Sequence, residues 1–130
     1  MRFVHLGIHT EFSISESIVR IPDLIKAAVN EEMPALALTD LSNLHAAIKF
    51  YTKCLDKGIK PILGSNIRLN NAEHKATLLA MSNKGWRNLT EIVSRGFIEG
   101  QQLDIPCVHK EWILEQNQDL IVLLGMHSDV

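Results

Sequence analysis

Met33-Pro34-Ala35-Leu36-Ala37-Leu38-Thr39-Asp40 is the stretch on which the fold turns. Pro34 closes the helix that precedes it, because a proline removes a helical hydrogen bond and crowds the turn before it. Four apolar residues follow without alternation, the pattern of a strand buried on both faces of a parallel sheet. Thr39-Asp40 then bounds the run with polar groups. On the amino side, Ile21, Leu24, Ile25, Ala28 and Val29 recur at helical spacing, with Pro22 and Asp23 suited to a first turn. On the carboxyl side, Ser42 or Asn43 can cap a second helix with an apolar face of Leu44, Ala47, Ile48, Tyr51, Cys54 and Leu55. Gly58 stands where a helix C-terminal glycine belongs.

Further out, Phe3 to Ile8 reads as a strand. Ile59 to Gly64 reads as another, continuing through Ile67 and Leu69 to a turn at Asn70-Asn71, and Ala76 to Met81 returns as a third. Ser82 or Asn83 opens a helix with Leu89, Ile92, Val93 and Phe97 on one face. A looser region from Gly96 to Pro106 leads to a short helix near Lys110 to Gln116 and a last, buried-looking strand from Leu120 to Leu124. This order predicts an α/β fold, a mainly parallel sheet with helices outside, either doubly wound or a barrel. In such folds functional groups gather at the carboxyl ends of strands, and His9, Asp40 and Asn66 fall at or just beyond them.

At 130 residues the chain is one domain with enough length for a core. A formal net charge of -2 argues against a general nucleic-acid-binding surface. Cys54 and Cys107 lack CxxC spacing, and free thiols in a reducing cytoplasm are the favoured reading over a disulfide between them. No apolar run is long enough to span a bilayer, and the start lacks signal-peptide form. Strand begins almost at Met1, as at a native amino terminus. The last strand has no closing helix, as in a piece of something longer.

Val4-His5-Leu6-Gly7-Ile8-His9-Thr10-Glu11-Phe12-Ser13 looks like a metal-site motif with a hole in it. A strand would carry residues 5, 7 and 9 on one face. It would deliver His9 to its end, with Glu16 seven positions on, but position 7 is a glycine and offers no ligand.

Four segments together carry a resemblance: Phe3 to Ser13, Met33 to Asp40, Gly58-Ile59-Lys60-Pro61-Ile62-Leu63-Gly64, and Leu78-Leu79-Ala80-Met81-Ser82-Asn83-Lys84-Gly85-Trp86-Arg87-Asn88-Leu89. In order and spacing they resemble the amino-terminal PHP (polymerase and histidinol phosphatase) region of the bacterial DNA polymerase III alpha-subunit family. The resemblance implies a distorted seven-stranded β/α barrel, here an incomplete amino-terminal portion over residues 1–130 that stops before the last metal motif. It also implies a cluster of His, Asp, Glu and Cys that holds metal ions for phosphoester hydrolysis in the members that keep this chemistry.

On that pattern His9 matches the second histidine of the family's HxH and Glu16 the acidic ligand after it, while His74 is a further candidate. Gly7 replaces the first histidine, Leu41 a histidine, Asn66 a glutamate and Met126 a frequent cysteine. Such replacements bind cations poorly or not at all. The resemblance therefore implies a degenerate site in a scaffold that stabilises a polymerase and docks its proofreading exonuclease subunit within the holoenzyme. The parent would use Mg2+ and meet DNA, whereas this piece would hold no cofactor of its own. The competing readings are a metal-dependent phosphoesterase and a residual pyrophosphatase with metal at His9 and Glu16. Asp40 reads as structural, accepting backbone N–H bonds in the turn before the second helix. His5 reads as a packing residue, His45 and His109 as solvent-facing, and Trp86 and Trp112 as core or interface anchors.

Overall fold

The structure is a computed structural model, and it describes residues 2–70 and 74–125. Helix α1, Ile21–Asn30, has Pro22 and Asp23 in its first turn and buries Ile21, Ile25 and Ala28 of the expected stripe, while Val29 is exposed. Strand β1, Ala35–Leu38, is buried from Leu36 to Leu38. Helix α2, Ala47–Asp56, starts later than the Ser42-Asn43 cap predicts. Ala46 holds the N-cap position, and Asn43 lies ahead of it, its Oδ1 accepting from His45 N (3.3 Å) and its Nδ2 donating to the carbonyls of Phe12 (2.9 Å) and Leu41 (3.2 Å). Its buried stripe runs through Ala47, Phe50 and Cys54, while Ile48, Tyr51 and Leu55 lie exposed. The large Phe50 ring decides the rotation. The helix ends as expected at Gly58, whose φ of 72° lets Ile59 N–H reach Cys54 O (2.9 Å) and its own N–H reach Leu55 O (3.1 Å).

Strand β2, Lys60–Leu69, runs parallel to β1 from Ala35↔Lys60 to Leu38↔Leu63. Strand β3, His74–Ala80, returns antiparallel to it, from Gly64↔Leu79 to Leu69↔His74. The sheet is therefore mixed rather than mainly parallel, because the four residues between β2 and β3 are too few for a crossover. Asn70 turns with φ 38°, and Asn71 lies outside the described residues.

Helix α3, Asn83–Ile98, is capped by Ser82, whose Oγ accepts from Gly85 N (3.2 Å). Gly96 takes the inward place beside Val93, which leaves Phe97 half exposed rather than buried as expected. The looser region contains a small hairpin, β4 (Gln101–Gln102) and β5 (Ile105–Pro106), turned by Leu103 and Asp104 at φ 50° and 65°. Neither residue is the Asn-Gly type that marks such turns in sequence. Helix α4, Lys110–Glu115, precedes strand β6, Leu120–Leu124, which pairs antiparallel with β3. The sheet order is β1-β2-β3-β6. The last strand is an edge and not a buried strand, with Ile121, Val122 and Leu124 at 40–52% exposure.

The expected first strand, Phe3 to Ile8, does not form. His5 O accepts from Ala37 N (3.0 Å) and Ile8 O from Thr39 N (2.9 Å). The acceptors are three residues apart and the donors two, so the surplus residue bends the chain at Leu6 and the ladder cannot close. His5 is exposed against Phe3, and the alignment of positions 5, 7 and 9 is lost.

Two core clusters result. One packs α1, α2 and β1 around Phe50, the other packs α3, β2 and β3 around Ile67, Leu78 and Ile92, and Trp86 touches both. Trp112 borders the second beneath the Arg95 guanidinium, 4.2 Å from its ring, and beside a half-buried His109. Cys54 and Cys107 are free and buried. Among the described residues no helix is long and apolar enough to cross a membrane.

Candidate functional site

Beyond the end of β1 the chain gathers the 9–17 loop, residues 39–43 and the second half of β2 around one buried carboxylate. Asp40 accepts from Thr10 N (2.6 Å), Thr10 Oγ1 (2.8 Å) and Ser13 Oγ (2.8 Å). Its donors come from the amino-terminal loop, not from the turn before α2. Its carbonyl accepts from Ser65 Oγ (2.8 Å) and Asn66 N (3.0 Å), which ties the same residue to β2. Ser13 Oγ also accepts from Leu41 N (2.9 Å), and Ser17 Oγ donates to His9 O (2.8 Å). These bonds fasten residues 10 and 13 of the loop and tie Ser17 back to His9.

His9 Nδ1 lies 3.3 Å from Glu16 Oε2. On its other side, His9 Nε2 is 3.3 Å from Asn66 Nδ2. Asn66 sits within β2 rather than past its end, opposite Leu41 where the pairing with β1 has stopped. Its Oδ1 is buried with no partner. Alternation places Asn66 and Arg68 of β2 on one face with their cross-strand partners Thr77 and Lys75 of β3. From that face Lys75 Nζ reaches Glu16 Oε1 at 3.1 Å, and Arg68 Nη2 approaches it at 3.8 Å. The hydrogen bond from Lys75 holds the Glu16 carboxyl below its ordinary value. Desolvation opposes this shift, and the neighbouring Lys75, His9 and Arg68 charges support it.

The structure thus joins His9, Glu16 and Asn66. Gly7 is exposed, and a Cβ there would meet no atom within 4 Å. Leu41 lines an open cavity of about 550 Å3 with Ser13, Asn43, His45 and Arg68. His74 neighbours Lys75 on β3, so alternation turns it to the opposite face. Among the described residues no three His, Cys, Asp or Glu side chains converge on a common point. Met126 lies outside the described residues. Lys75 and Arg68 are the site residues that reading the sequence missed. Their signal was the polar row Asn66-Arg68 facing Lys75-Thr77, and it becomes legible only when the hairpin register is known.

Residues 5–129 match the PHP domain family. The chain is 44% identical over 126 residues to the DNA polymerase III subunit alpha of Pseudomonas fluorescens, covering 93% of this chain and 11% of that protein. Against the same subunit of Vibrio cholerae it is 39% identical over 132 residues, covering 98% and 11%. The chain spans about a tenth of the length of the relatives it matches. Among solved structures, an amidohydrolase from Chromobacterium violaceum with bound SO4 and no metal aligns with a TM-score of 0.52 at 18% identity, covering 71% of this chain and 34% of that one. The two share a fold, of which this chain carries an incomplete barrel.

Proposed function

The chain belongs to the PHP domain family, and from that membership we propose that it serves as the amino-terminal region of a DNA polymerase III alpha subunit, as a scaffold rather than a hydrolase. The observation that carries this reading is 44% identity sustained across 93% of the chain. The parent protein is then a cytoplasmic DNA-directed DNA polymerase that uses Mg2+ and meets DNA through its other regions. This region stabilises the polymerase and docks the proofreading exonuclease subunit of the holoenzyme.

The donor set supports the scaffold role, because it does not fit a hydrolytic metal cluster. Multi-metal hydrolysis needs several imidazoles and carboxylates with free lone pairs around a shared centre. Here position 7 is glycine and position 41 leucine, Asn66 gives an amide, and Glu16 is engaged by an ammonium at 3.1 Å.

The test has two arms on the full-length chain. Hydrolysis of p-nitrophenyl phosphate and of pyrophosphate, each with manganese or zinc, should not rise above the rate without protein. Turnover that disappears in His9→Ala would overturn the scaffold reading in favour of a phosphoesterase or pyrophosphatase. Capture of the proofreading exonuclease should be lost when residues 1–130 are removed, and undiminished capture would refute the docking role.

A further inference from the structure

The loop that carries Glu16 crosses the polar face of the β2–β3 hairpin and needs something to hold it there. Phe12 packs against the first core cluster, but burial of apolar surface does not hold the second half, where Ile14 and Ile18 are 84% and 93% exposed. Asp40 fastens residues 10 and 13. The second half of the loop meets the sheet through Glu16.

We infer that Lys75, seconded by Arg68, is the resident cation of this site, an ammonium that neutralises and anchors Glu16 in the place a metal ion takes where the ligand set is complete. The inference rests on the scaffold reading of the site and adds what fills it. Glu16 Oε1 is engaged by Lys75 at 3.1 Å and approached by Arg68 at 3.8 Å, and Oε2 faces His9 Nδ1 at 3.3 Å. Both carboxylate oxygens are thus committed. A divalent cation would need those same lone pairs and would meet two positive side chains at the point of entry. The attachment therefore closes the site to divalent metal as it secures the loop. Cation and carboxylate come from different elements, β3 and β2 against the loop, as ligands to one metal would. The side chains of Glu16, Lys75 and Arg68 are 29%, 36% and 25% exposed, so solvent weakens the attraction without removing it.

Amide hydrogen exchange on the full-length chain, followed in peptides covering residues 10–19, tests this. Lys75→Met and Glu16→Gln should each speed exchange there by about two- to fivefold, the range of a partly exposed ion pair. The double variant should be no faster than Glu16→Gln alone, and Lys75→Arg should keep the wild-type rate. Millimolar manganese should leave wild-type exchange over these peptides unchanged. Unchanged exchange in Lys75→Met, additive effects in the double variant, or slowing by manganese would each overturn the inference. If Lys75→Met raises exchange throughout the chain, Lys75→Gln is the variant to read. The hydrolysis assay bears only on the scaffold reading, so the two can fail separately.

Discussion

Asp40 is 1% exposed, and a carboxylate persists in such a place only when protein donors replace its water. Thr10 N, Thr10 Oγ1 and Ser13 Oγ do so, the longest contact being 2.8 Å. In Asp40→Asn the amide NH2 falls opposite Thr10 Oγ1, which must turn its hydroxyl to accept, and the charge-assisted bonds from Thr10 and Ser13 become neutral ones. We expect the variant to be less stable by about 1.5–3 kcal/mol, the scale of a hydrogen bond to a charged group. A urea midpoint equal to that of the wild type would show that the loop does not depend on this carboxylate. The residues of the site differed in how legible they were. His9 and Glu16 are seven positions apart, and the resemblance pairs them, although the strand expected to present His9 does not form. Gly7 reads as a lost ligand, and the structure shows that position 7 needs no glycine for room, because an added Cβ meets nothing. Lys75 is 59 residues from Glu16, and only the register of a hairpin brings it within 3.1 Å.

Among the elements, α3 shows how a helix can be placed by its backbone. Ser82 caps it and also donates from Oγ to Asp119 Oδ2 at 2.6 Å, while Asn88 Nδ2 donates to Gln118 O at 2.9 Å. The first turn therefore rests directly on the chain that enters β6. Gly85 makes this contact possible, for a Cβ there would overlap the Asp119 carbonyl. In an exposed helix, replacing glycine by alanine gains up to about 1 kcal/mol. Here Gly85→Ala should instead destabilise by about 1–3 kcal/mol, as overpacking of a close contact does. Faster amide exchange in β6 than in β1 should accompany the loss, and a stabilised variant would contradict the packing argument. Helices α1 and α3 lie where sequence periodicity puts them and carry an early proline or a local cap, whereas α4 lies where expected with neither. The start of α2 falls at Ala46 rather than at Asn43, whose Nδ2 is bonded to Phe12, a partner 31 residues away. The absent first strand has a similar cause, since its surplus residue shows only against the spacing of β1.

At the scale of the molecule, alternation of strand and helix was enough for the α/β class, while the mixed sheet followed from one short connection that propensity does not weigh. The two clusters meet at Trp86, and the first of them encloses Cys54, which is fully buried beside Phe50 and Ile59. Burial pushes the Cys54 thiol up from an ordinary value of 9.0 to about 11. The folded state thus holds its proton more tightly than the unfolded chain does. Its contribution to stability is fully present well below the ordinary value of 9.0, where the unfolded thiol is also neutral. It is lost as pH rises from there through about 11. A urea midpoint measured across pH 8 to 11 should therefore fall more steeply for the wild type than for Cys54→Ala, whose other titrating groups are the same. The variant begins lower, because removing the sulfur leaves a small cavity in a packed cluster. The two curves should then converge toward the alkaline end. Parallel curves would mean that the thiol ionises as easily inside the core as outside it, and that the cluster around Phe50 admits water.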